Sequence, residues 1–156
     1  SSVVTILGLN GGSDTNDTSI ILRIDYGITS FLFTGDAELE AEQAVLNSKS
    51  AKLGATVLKV GHHGSDTSTS YSFLREVMPQ YAVISVGEGN SYDHPTDAVL
   101  SRFRDADVTV YRTDLNGDVV AVSDGKTVTI TTEKSASNED IRASEKNSVK
   151  NQSTVV

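Results

Sequence analysis

Cysteine and tryptophan are absent from the 156 residues, and there are only two prolines, one methionine and three histidines. Without cysteine there is no disulfide and no thiolate metal site, so any bound metal must be held by histidine and carboxylate. The lack of cysteine leaves the compartment open, since cytosolic and secreted proteins alike can do without it. No apolar run approaches the roughly 18 to 20 residues of a membrane-crossing helix, so no membrane segment is expected in this stretch. The start, Ser1-Ser2-Val3-Val4-Thr5, has no basic n-region, no long apolar h-region and no initiator methionine, which leads us to expect a piece of a longer protein. Bases are scarce as well: 13 Lys and Arg stand against 21 Asp and Glu, a formal charge of -8. Acids and bases balance from Glu133 onward, so the whole excess lies on residues 1–132. There is no strong basic patch, and binding polyphosphate by counterion release needs clustered Lys and Arg. If nucleic acid is a substrate, a metal or another domain must supply the positive charge.

What is present is ordinary globular composition, 37% hydrophobic with 12 glycines, and one domain's worth of length. Val3–Leu9, Ile20–Ile24 and Ser30–Thr34 read as strands, the last two joined as a hairpin through Tyr26-Gly27-Ile28-Thr29. Ala37–Ser48 has helical apolar spacing, with Asp36, Glu38 and Glu40 suiting its N-terminal dipole. Ala55–Val60 is a short β-branched run, read as a buried strand. Ser65 to Ser68 resembles the entry to a helix, which runs from about Ser70 to Val77 and is closed by Pro79. Tyr81–Val86 and Val108–Arg112 are further strands around a helix from Thr96 to about Arg104. Asp118–Ser123 and Thr127–Thr132 form a last hairpin turned at Asp124-Gly125. The alternation predicts a layered α/β domain with a mixed sheet over residues 1–132. Residues 133–156 hold one Ile and no aromatic residue, and are expected to be a disordered tail.

Three strands end alike: a glycine appears, and a possible metal ligand comes after it. The ligands are Asp36 after Gly35, the pair His62-His63 after Gly61, and His94 in the loop after Gly87. Strand ends next to helix starts are where open α/β sheets place ligands. Imidazole nitrogen and carboxylate oxygen suit zinc, manganese or iron, and a bridging carboxylate can join two ions that activate water and clamp a phosphate. Each residue has an ordinary reading too. Gly-Asp at such a junction is commonly an N-cap. A His-His loop is commonly solvated, and Asn16 and Ser19 are commonly turn formers. Residue chemistry alone leaves a metal or phosphate site and a set of ordinary loop residues about evenly matched.

The motifs, in order, resemble a known family. Asn16 to Leu22 is similar to its N-x-x-S-hydrophobic strand start, and Phe31-Leu32-Phe33-Thr34-Gly35-Asp36 to its LFTGD. Leu58 to Ser65 is similar to its LKVGHHGS, and Thr67-Ser68 to the S-x-x-S ending of that motif. Ile84 to Gly87 with Asn90 and His94-Pro95, and Tyr111 to Asp114 with Gly117, resemble its two late motifs. This is the metallo-β-lactamase fold as found in the C-terminal domain of ComEC-type competence proteins and their free-standing, secreted relatives. The resemblance covers about residues 2–130 and implies the C-terminal half of an αββα sandwich.

In function it implies a metal-dependent hydrolase, a phosphodiesterase or nuclease linked to DNA uptake, working with two divalent ions, zinc or manganese. By the same resemblance Asp36 bridges the metals and His62 is the favoured histidine ligand, with His63 nearer the substrate. His94 is a further ligand or a proton donor, and Asn16, Ser19 and Ser65 contact substrate. The family's His-x-His-x-Asp-His signature, which supplies most of its ligands, has no counterpart here, and Tyr92-Asp93-His94 replaces its usual Tyr-Gly-His. The missing ligands are therefore expected from a preceding half of the domain, with an extracellular or membrane-associated setting through an upstream region. This chain alone is expected to be inactive. Two rival expectations are a non-catalytic binding module that keeps part of the site, and a secreted phosphoester hydrolase unrelated to DNA; β-lactams are not an expected substrate.

Overall fold

A computed structural model describes residues 1–48 and 50–143. Six strands form one sheet in the order of the chain: β1 (Ser2–Gly8), β2 (Ile21–Tyr26), β3 (Thr29–Phe33), β4 (Val57–Lys59), β5 (Tyr81–Ile84) and β6 (Thr109–Arg112). The first three run antiparallel, with Ile24 opposite Phe31 and Tyr26 opposite Thr29 across the tight turn. From β3 onward the pairing is parallel, Leu32 beside Leu58 and Leu58 beside Ala82. The predicted mixed sheet is therefore present. Parallel neighbours need a crossover, and helices α1 (Leu39–Asn47), α2 (Tyr71–Val77) and α3 (Asp97–Asp105) supply three.

Period-two alternation decides what each face meets. Leu32, Leu58, Ala82 and Ile84, all at 0% exposure, enter one cluster with Ala41 and Val45 of α1, Phe73 and Val77 of α2, and Val99 and Phe103 of α3. Full burial of such a side chain contributes roughly 1.5–3 kcal/mol. The alternate residues Phe31, Phe33, Val57, Lys59 and Val83 face the other way. There they line a groove of 620 Å³ with Val119 and Ala121 of the hairpin β7 (Val119–Ser123) and β8 (Val128–Thr132). The hairpin is fastened to the β2–β3 turn, where the Ile28 N–H donates to the Gly125 carbonyl and the Thr29 and Ser123 hydroxyls lie 2.6 Å apart.

Helix α1 is capped from a distance. Its N-cap residue, Glu38, gives no side-chain cap. Instead Asp17, buried in a 3-10 turn at Asn16–Thr18, accepts from the N–H groups of Glu38 (2.8 Å) and Ala41 (3.1 Å). In turn α1 holds the start of α2: the Glu42 carboxylate accepts from the N–H groups of Thr69 and Ser70. Burial raises the Glu42 pKa despite those bonds. Ser70 then caps α2 through the N–H of Phe73.

Two expectations need correction. The stretch after the histidine pair is not a helix start: residues 65–69 are a loop, and α2 begins at Tyr71. The disordered tail fails for residues 133–143, which are ordered, while residues 144–156 lie outside the described residues. A one-turn helix, α4 (Thr113–Asn116), precedes the β7–β8 hairpin, and another, α5 (Asn138–Ile141), comes after it with Ile141 buried. The physical reason is Arg112. It is 1% exposed, forks onto Asp114, and donates through Nη1 to the carbonyls of Asp140, Ile141 and Ala143. Low apolar content suggested that this segment could not order itself; a buried guanidinium orders it from outside.

Candidate functional site

The three strand-end loops meet, and backbone hydrogen bonds knit them together. The Gly35 carbonyl accepts from the His62 N–H (3.0 Å), and the Ala37 carbonyl from the Ser68 hydroxyl (2.7 Å). The Gly64 carbonyl accepts from the Thr96 N–H (3.0 Å), tying the His62–His63 loop to the one that carries His94. On the far side, Arg102 of α3 donates to the carbonyls of Asp66, Ser68 and Thr69. Asn90 shapes the His94 loop from within, accepting from the His94 N–H and donating to its carbonyl.

The histidine pair has an unusual backbone. His62 (φ 44°) and His63 (φ 53°) are both left-handed, and Gly64 (φ 85°) comes next. For residues with a Cβ this costs about 1–2 kcal/mol each, and such strain is held where surrounding structure over-determines it. Here the turn throws the two rings apart, with centroids 6.4 Å from one another. Gly64 is the residue this turn cannot replace. A Cβ there would lie 2.6 Å from Cβ of Pro95, on a backbone that disfavours L side chains. Gly64→Ala is expected to lower stability by roughly 2–3 kcal/mol and to shift the His94 ring resonances. Urea midpoints and histidine NMR read both, and an unchanged midpoint would refute this role for Gly64.

Each predicted site residue has a definite place. Asp36 and His63 face one another, with Oδ1 and Nε2 3.6 Å apart, and both side chains are about half exposed. His63 Nδ1 lies 2.7 Å from the Ser85 carbonyl. His62 turns away from Asp36: its Nδ1 meets Glu38 Oε1 at 2.9 Å, and its ring stands edge-on to His94 with centroids 5.7 Å apart. Of the pair, His62, the favoured ligand, lies against Glu38, and His63 is the ring that lies against Asp36. His94 stacks on Tyr92 and has its pKa lowered, first by burial and then by the neighbouring His62 and His63. Lys59, at the end of β4, is also held below the usual lysine range by burial, against a smaller raising effect of Asp36.

Each of the expected substrate contacts has a partner within the protein. Ser19 Oγ accepts from the Asp36 N–H at 3.0 Å, so it sets the position of the carboxylate rather than facing outward. Ser65 is buried and bonded to Thr67, because its hydroxyl closes the turn after Gly64. Asn16 lies beside Glu38, with Nδ2 3.3 Å from Oε1. Glu38 and Asp17 were missed by sequence reasoning. In the sequence Glu38 looks like a helix-start acid and Asp17 like a residue of the turn before a strand, and neither pattern singles them out.

A metal fits this donor set in part. Asp36 and His63 offer carboxylate oxygen and imidazole nitrogen, and both His62 and His63 have an acceptor at Nδ1, as metal-binding histidines normally do. Among the described residues, however, no three His, Asp or Glu side chains converge as a metal-binding group. An apolar cleft of 570 Å³ between α2 and α3, lined by Tyr71, Leu74, Met78 and Arg102, contains none of the site residues.

The sequence is similar to those of known proteins. Residues 12–88 match the Metallo-beta-lactamase superfamily. The chain is 43% identical over 104 residues to competence protein ComA of Neisseria gonorrhoeae, covering 67% of this chain and 15% of that protein. It is 42% identical over 104 residues to ComE operon protein 3 of Bacillus subtilis, and 40% identical over 105 residues to recombination protein 2 of Haemophilus influenzae. Those matches cover 67% of this chain and 13% of each relative. The chain thus spans only a small part of the length of the relatives it matches.

Proposed function

Because residues 12–88 belong to the metallo-beta-lactamase superfamily, we propose that this chain is part of a metal-dependent hydrolase acting on phosphodiesters. The observation that carries the reading is the 3.6 Å approach of Asp36 Oδ1 and His63 Nε2. Two ligands roughly 2.1 Å from a tetrahedral zinc lie roughly 3.4 Å apart, so this spacing suits one edge of a shared coordination sphere. Asp36 and His63 would hold one ion, zinc or manganese, and a second ion would need, beside His62, ligands from outside the described residues. When bound, the metal supplies an acidified water and a positive clamp for phosphate, which this acidic chain otherwise lacks.

The chain's own residues prepare that edge. Ser19 fixes the backbone of Asp36, and the Ser85 carbonyl fixes the ring of His63. Burial, and after it the neighbouring His62 and His63, disfavour the charged form of His94. The names of its relatives, a competence protein at 43% identity among them, support a place in DNA uptake with nucleic acid as the substrate. They also support an extracellular or membrane-associated setting.

The test is hydrolysis of bis-p-nitrophenyl phosphate by the intact protein that carries this chain, with added zinc or manganese and then with chelator. Metal-dependent turnover is expected; turnover that survives the chelator, or none with metal, ends the proposal. One observation favours a second reading, a binding module without catalysis: no third ligand converges on Asp36 and His63 among the described residues. Calorimetric titration of the intact protein with Zn²⁺ separates the two, since a module of this kind binds none.

A further inference from the structure

Beside the proposed metal edge, one carboxylate oxygen gathers three donors. Glu38 Oε1 lies 2.9 Å from His62 Nδ1, 2.8 Å from Thr67 Oγ1 and 3.3 Å from Asn16 Nδ2. Asn16 comes from the turn before β2 and His62 and Thr67 from the loop between β4 and α2, so the convergence is tertiary. We infer that Glu38 is a positioning residue that holds His62 with its proton on Nδ1 and its Nε2 lone pair turned to the site. A carboxylate oxygen accepts and does not donate, so the ring nitrogen facing it must carry the hydrogen.

The local structure explains why Glu38 is free to do this. Residues at an N-cap commonly spend their side chain on the helix they begin. At α1 Asp17 has taken that duty and also grips the Glu38 N–H at 2.8 Å, which anchors the backbone while the side chain turns outward. His62 and Glu38 are each about one-quarter exposed, so water competes weakly for their bond. The neighbouring ring has an equivalent device, since His63 Nδ1 meets the Ser85 carbonyl. For His62 this leaves Nε2 on the side of the ring away from Glu38, whereas Nε2 of His63 also faces a carboxylate, Asp36, at 3.6 Å. That His62 Nε2 then receives a metal or a proton rests on the hydrolase reading; the tautomer itself does not.

With three histidines in the chain, long-range ¹⁵N–¹H correlation spectra can assign each ring. In the wild-type chain, His62 is expected with hydrogen on Nδ1 and a bare Nε2; a hydrogen on Nε2 overturns the inference without any variant. Glu38→Ala should move His62 to the Nε2–H form while His63 stays as it was. Glu38→Gln keeps an acceptor oxygen and should keep the wild-type tautomer. An unchanged His62 in Glu38→Ala, or Glu38→Gln behaving like Glu38→Ala, also overturns it. In the intact protein the apparent affinity for Zn²⁺ should fall roughly 10- to 100-fold in Glu38→Ala, with most of it restored in Glu38→Gln; equal loss in both argues for charge alone and against positioning. Because the spectra need neither metal nor turnover, a failure of the hydrolase reading leaves the tautomer result standing, and the reverse holds as well.

Discussion

Asp36→Ala in the intact protein is expected to reduce metal-dependent phosphodiester hydrolysis by roughly 10²- to 10⁴-fold, or about 3–5 kcal/mol of transition-state stabilisation. Among the described residues, its carboxylate is the acidic group that meets His63 at a ligand-like distance. Its fold role is small, which keeps the experiment clean. The residue is held through its backbone N–H by Ser19, the side chain is 45% exposed, and α1 is capped by Asp17 instead. Stability should therefore change by no more than about 0.5 kcal/mol, as for most surface substitutions. Calorimetric melting of the variant checks this beside the assay. Full activity in a folded Asp36→Ala protein would remove Asp36 from the mechanism, and with it the metal edge.

Arg112→Ala should be the most damaging change outside the site, at about 3–5 kcal/mol, a large share of a typical domain's roughly 5–15 kcal/mol. Arg112 and Asp114 side chains are 1% and 2% exposed and meet at 2.5 Å. Truncation leaves a buried carboxylate without its counter-charge and strips the carbonyls of Asp140, Ile141 and Ala143 of their donor. Arg112→Lys keeps the charge and loses the fork, so an intermediate loss of roughly 1–3 kcal/mol is expected. Urea denaturation gives both values, and amide exchange at residues 138–143 should quicken in each variant. Slow exchange there despite a lowered midpoint would show that α5 is held by something other than Arg112.

The strands were legible because their signals are local. β-Branched runs bounded by Gly, Asn and Asp placed all eight within a few residues, and helical spacing placed α1, α2 and α3. Asp36 and the two histidine loops were legible as strand-end chemistry, and the structure brings those loops together. What escaped shares one physical character: a long-range contact gives the residue its role. Glu38 looks like a helix-start acid and Asp17 like a turn residue before a strand, yet one turns to His62 and the other caps α1 from 21 residues away. His62 and His63 read as an undifferentiated pair, and only the left-handed turn assigns one to Asp36 and the other to Glu38. Arg112 reads as the end of a strand, while its work is done on carbonyls about 30 residues later.

The order of the sheet has a kinetic consequence. Every strand from β1 to β6 lies beside its neighbour in sequence, and no pairing must span more than one of the helices α1 to α3. Loop-closure entropy rises with the length enclosed, so this arrangement avoids the most expensive closures and places the chain toward lower contact order for a sheet protein. The sheet can be extended strand by strand as synthesis proceeds, since domains form in step with a ribosome adding about 5–20 residues per second. The grip of Arg112 on residues 140–143 is the exception. It joins the last strand of the sheet to the end of the described chain, and so it must close after everything it secures.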